Sequence, residues 1–106
     1  MELNLTEFGI RQFISDGQEF FYGRQDSGKG MVTGVRLVDS EKIKFAGKIK
    51  GKAGREYLTE VEFDIKGAPV ACKCTCDSEY RCRHTAALLF ELMKTKGKQA
   101  GDLSAN

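Results

Sequence analysis

Reactive side chains are scarce in this chain, and nearly all of those present sit in one loop. Its 106 residues hold a single histidine, His84, and four cysteines, all between Cys72 and Cys82. Without a second histidine or an isolated carboxylate constellation, there is no basis for general acid–base catalysis, and no enzyme activity is expected. Cys-x-x-Cys is absent, which argues against thiol redox chemistry. Gly28-Lys29-Gly30 lacks the frame of a phosphate-binding loop, so no ATP site is expected. No apolar run approaches membrane-spanning length. The opening Met-Glu-Leu-Asn-Leu-Thr-Glu is neither basic nor followed by a long apolar stretch, so a soluble, cytoplasmic protein is expected, with no membrane partner and no small-molecule substrate. An excess of one charge is missing too. Seventeen Lys and Arg against fifteen Asp and Glu leave a net charge of +2, so any attraction for nucleic acid must come from local patches. Neither an internal repeat nor a low-complexity block is present.

What is there is concentrated in Cys72-Lys73-Cys74-Thr75-Cys76-Asp77-Ser78-Glu79-Tyr80-Arg81-Cys82-Arg83-His84. Soft donors packed this closely are most simply explained by a shared cation. Cys-x-Cys places two sulfurs on one side of an extended strand, and Cys82-x-His84 places two donors across the first turn of a helix. Three thiolates and one imidazole complete the tetrahedron of structural zinc and leave no position for a catalytic water. A disulfide reading requires an oxidising compartment, and an iron–sulfur cluster rarely takes histidine. One structural Zn2+ is therefore expected. Five candidate donors compete for four positions. Cys72 follows Val70 inside the apolar alternation of a strand, where a buried cysteine behaves as a small apolar residue. Cys74, Cys76, Cys82 and His84 are the preferred ligands, and Cys72 is the alternative to Cys76.

These residues resemble the SWIM zinc finger, whose pattern is Cys-x-Cys, a variable spacer, then Cys-x-His running into an Ala/Leu-rich helix. The resemblance covers residues 74 to 90, and the short spacer supports the preferred ligands. The preceding short helix, Tyr22-Gly23 turn and strands are similar to the SWIM-bearing N-terminal region of bacterial SWI2/SNF2-family helicases. That resemblance implies a non-catalytic module that contacts DNA or a protein, including a covalently linked helicase domain. The other reading is a protein–protein adaptor with purely structural zinc and no nucleic-acid role.

Around the zinc loop, the pattern predicts one α+β domain over residues 1–96, with the knuckle at 72–84 and a polar, frayed tail at 97–106. Asn4 with Glu7 has the form of a capping box, opening a helix from about Leu5 to Ser15 that stops near Gly17. Phe20, Phe21 and Tyr22 read as core aromatics, and Gln25 to Gly30 as a loop. Strands are predicted over Met31–Val38, Lys42–Lys50 and Tyr57–Ile65, with a short one from Pro69 into the cysteines. These give an antiparallel sheet of three or four strands.

A three-residue turn at Lys52-Ala53-Gly54 would set Lys50 opposite Glu56, Lys44 opposite Glu62 and Lys42 opposite Asp64. The same register joins Ile49 to Tyr57, Phe45 to Val61 and Ile43 to Phe63. The lysine stripe is then largely neutralised by its neighbour. Cys82 to about Lys96 reads as a helix that buries Ala86, Leu88, Leu89, Phe90, Leu92 and Met93. Lys73, Arg81 and Arg83 form the only basic cluster without an obvious acidic neighbour strand. They are the candidate partner-binding residues.

Overall fold

A computed structural model describes residues 3–76 and 81–96. Within these, α1 (Glu7–Phe13), α2 (Gly17–Gly28), β1 (Val32–Asp39), β2 (Lys44–Lys50), β3 (Glu56–Phe63), β4 (Pro69–Cys74) and α3 (Arg83–Lys96) follow in order. The strands form one antiparallel meander in the order β1-β2-β3-β4, and α3 lies across its inner face. The expected α+β class holds. The tail at 97–106 and knuckle residues 77–80 lie outside the described residues.

Helix α1 is shorter than predicted and is capped by a different residue. Thr6 Oγ1 accepts from Gly9 N at 3.0 Å, so Thr6 rather than Asn4 is the N-cap. Asn4 has another task. Its N–H donates to Gly67 O, while that of Leu3 donates to Lys96 O, which holds the leading segment between the β3–β4 turn and the end of α3. This extended path buries Leu3 and Leu5.

Helix α2 replaces the predicted aromatic cluster and loop. Asp16 Oδ1 accepts from Gln18 N and Glu19 N, so the chain starts a second helix at the point where Gly17 was expected only to end the first. Gly23 is not a turn residue. A Cβ there would lie 2.3 Å from that of Ala86 and 2.7 Å from Arg83 O, so glycine permits the close crossing of α2 and α3. Phe20 packs on Phe90 with ring centroids 5.3 Å apart, whereas Phe21 points outward and is 52% exposed.

The sheet follows the predicted register through its ladder. Lys44↔Glu62, Phe45↔Val61, Ile49↔Tyr57 and Lys50↔Glu56 are opposed, and Gly54 takes φ +75° in the connecting turn. Beyond Lys44 the ladder stops. Asp39 Oδ1 accepts from Glu41 N and Lys42 N, turning Lys42 away from Asp64. Ile43, at φ +49°, still accepts from Phe63 N at its carbonyl and packs partly buried against the core. Ile65, at the end of the predicted Tyr57–Ile65 strand, lies beyond β3 and is 94% exposed, because Asp64 Oδ1 accepts from Lys66 N and Ala68 N and closes a turn there. The core lies between the sheet and α3. Ala86, Leu88, Leu89, Phe90 and Leu92 are buried as expected, Met93 partly, against Phe45, Ile49, Val61, Phe63, Ile10 and Ile14.

Candidate metal centre

Two elements meet at one end of the sheet to form the centre. Strand β4 delivers Cys74, and the chain then bends through Thr75 to Cys76. Thr75 N donates to Leu58 O and Thr75 Oγ1 accepts from Leu58 N, both at 3.0 Å, so the end of β4 is fastened to β3. On the other side, Ala86 N donates to Cys82 O, which places Cys82 at the cap of α3 and His84 in its first turn. Glu19 of α2 accepts from Arg83 N at 3.1 Å and satisfies another amide of that first turn.

One ligand atom from each of Cys74, Cys76, Cys82 and His84 lies within 4.8 Å of all the others. His84 Nδ1 stands 3.7 Å from Cys74 Sγ and 3.7 Å from Cys82 Sγ. Donors on a zinc tetrahedron, with arms of 2.0–2.3 Å, sit roughly 3.5–3.8 Å apart, so these spacings and this donor set suit one zinc ion. Cys72 is not in the group. It is half-buried against the core, and burial pushes its thiol pKa up, keeping it neutral.

The thiols of the cluster are differently poised. A hydrogen bond from Cys74 is the main cause that holds the Cys82 pKa far below its ordinary value, with His84 and Thr85 assisting against burial. The same bond, then burial, raises that of Cys74. Metal binding requires the thiols to be deprotonated, so a dication would displace the protons the cluster holds.

Three further residues support the centre, and none was picked out from the sequence. Thr59 Oγ1 donates to Cys74 Sγ at 3.1 Å and is fully buried. Thr85 Oγ1 lies 3.7 Å from Cys82 Sγ. Tyr57 stacks on the His84 ring at 4.2 Å with 22° between planes. A signal for two of them existed. Tyr57 and Thr59 are two apart on the inward face of β3, and Thr59 is the direct partner of Cys74, so extending the register by one strand would have found both.

The three candidate partner-binding residues diverge. Arg81 lays its guanidinium 3.8 Å from the Phe13 ring centroid and donates to Phe13 O. Arg83 makes a bidentate pair with Asp26, both bonds 2.9 Å, and lies over Tyr22. Its pKa is raised, first by that bond. Lys73 stands opposite Glu60 in the β3–β4 register. The acidic neighbours hidden in the sequence were Asp26 and Glu19, because they belong to the unforeseen helix α2.

Fold and donor set together define a small zinc-binding α+β domain. Residues 57–92 match the family model of the SWIM zinc finger, and over that span the chain is similar to that family. The matched segment runs from β3, which carries Tyr57 and Thr59, through the cluster and most of α3. No curated protein and no solved structure matches the chain. No helix among the described residues is long and apolar enough to cross a membrane.

Proposed function

We propose that Cys74, Cys76, Cys82 and His84 hold one structural zinc ion, and that the chain is a non-catalytic interaction module for DNA and/or protein. It would work in the cytoplasm beside an SNF2-type helicase or ATPase. The observation that carries this reading is the closed donor set: four ligand atoms within 4.8 Å, drawn from the end of β4 and the start of α3. When bound, zinc would tie the end of a strand to the start of a helix through these four protein donors, a structural rather than a catalytic role. Thr59 and Thr85 offer hydroxyls to the sulfurs, and Tyr57 orients the imidazole, so the chain's own residues pre-arrange the donors.

A specific observation favours the adaptor reading as the second. Phe8 on α1 and Phe21 on α2 are 70% and 52% exposed, which suits an apolar protein contact. Binding of labelled single- and double-stranded DNA across a salt series decides between them. The DNA reading predicts affinity that falls steeply with salt, as phosphate contacts require. Absence of binding at low salt, or binding indifferent to salt, would leave the adaptor reading.

A further inference from the structure

Beside the metal centre lies a cleft of about 390 Å3, between the C-terminal end of α2, the end of β2 and the start of α3. Its lining includes Lys29, Lys50 and Arg83 against a single carboxylate, Asp26. That carboxylate is already engaged by both hydrogen bonds of Arg83. Among the described residues, ion pairs join Arg24 to Glu7, Arg83 to Asp26 and Lys94 to Glu91, and neither Lys29 nor Lys50 takes part in them. Both lysines are exposed. Glu56 is the cross-strand partner of Lys50, but it does not line the cleft. The cleft therefore carries two cationic groups in excess, contributed by different elements.

Its floor adds a third donor. His84 turns Nδ1 to the sulfurs, which leaves Nε2 as the outward nitrogen of a ring that lines the cleft. An imidazole ligated through one nitrogen keeps its proton on the other and donates it. Tyr57 forms a wall by stacking on that ring. The walls are held by backbone bonds from Lys50 N to Met31 O and from Gly51 N to Arg55 O. Gly51 keeps the space beside Tyr57 open, since a Cβ there would come within 2.7 Å of Tyr57 Cε2.

We propose that this cleft, through Lys29, Lys50 and the outward N–H of His84, seats a backbone phosphate of bound nucleic acid. The inference rests on the DNA reading above and gives it a place. It moves the expected contact away from Arg81 and Arg83, whose guanidinium groups are committed to Phe13 and Asp26. Three donors lining one cleft suit the several acceptor oxygens of a phosphodiester.

The test uses the zinc-loaded chain with a short labelled DNA duplex and, separately, a polyglutamate peptide, each titrated at several salt concentrations. Lys29→Ala/Lys50→Ala is compared with Lys42→Ala/Lys66→Ala, which removes the same charge from exposed turns at the opposite end of the sheet. Zinc content of every variant confirms an intact fold. The expected result is that the cleft variant lowers the log–log salt slope for DNA by about two and weakens binding, while the control keeps both near the wild-type values. An unchanged slope in the cleft variant, or an equal loss in the control, overturns the cleft while leaving DNA binding standing. Polyglutamate binding as tight as that of DNA, with the same dependence on Lys29 and Lys50, overturns the choice of occupant. Lack of any wild-type DNA binding overturns the DNA reading itself.

Discussion

The two ends of the sheet are held by different physics. At the end where β4 stops and α3 begins, the groups brought together are sulfurs, an imidazole, two threonine hydroxyls and a charged pair between α2 and α3. At the other end, Leu3 and Leu5 are buried under the β3–β4 turn and the last turn of α3, tied there by two backbone bonds. Apolar burial is non-directional and needs no ion. The cysteine end lacks that recourse, because clustered thiolates repel until a cation joins them. A small domain can thus divide its stability between a core that persists and a staple that depends on metal and pH.

The largest effect comes from removing the staple. Apparent zinc affinity in small domains is on the order of 10 kcal/mol, comparable to a domain's whole stability. Chelation should therefore loosen β4, the start of α3 and their contacts, with loss of amide protection greatest at that end. Unchanged NMR amide dispersion in a verified metal-free sample would break the comparison. Acid should act in the same direction. The metal-free, unfolded chain binds more protons than the zinc-loaded fold, so stability rises with pH and zinc is released as pH falls. A zinc-release titration showing tighter binding at lower pH would contradict that sign.

Next in size is truncation at the apolar end. Leu5→Ala removes a buried side chain and should cost about 2–5 kcal/mol by denaturant unfolding. It should leave zinc affinity of the folded protein unchanged, since Leu5 belongs to the apolar core and not to the donor group. A parallel fall in zinc affinity would show that the two ends are not separable.

Thr59→Ala sharpens the comparison from the other side with a smaller effect. It deletes the hydroxyl bonded to Cys74 Sγ, so about 1 kcal/mol of stability and roughly tenfold of zinc affinity should be lost. Competition with a coloured chelator measures it. Equal zinc affinity in this variant would remove Thr59 from the centre's support.

Legibility in the sequence followed the same division. The β2–β3 hairpin could be read because two faces, charged and apolar, had to agree on one register, and only one register satisfied Lys44 with Glu62 and Phe45 with Val61 together. The α3 stripe was readable from its 3.6-residue period. Helix α2 was hidden because Gly17, Gly23 and Gly28 look like punctuation, whereas Gly23 serves a close helix crossing. Asp16 followed by Glu19 was its available capping signal. Missing α2 also concealed Asp26, and with it the engagement of Arg83. The Lys42 and Ile65 positions failed for a local reason: Asp39 and Asp64 side chains bind backbone amides and turn the chain before the alternation ends.

Cys74, Cys76, Cys82 and His84 are the proposed zinc ligands, and Cys72 packs against the core. Zinc stoichiometry and affinity of the single variants Cys72→Ser and Cys76→Ser, measured side by side on purified protein, test this assignment most directly. The expected result is one tightly held zinc per chain in Cys72→Ser, with a modest loss of stability, and weak or absent zinc in Cys76→Ser. Loss of zinc from Cys72→Ser with retention in Cys76→Ser would contradict it.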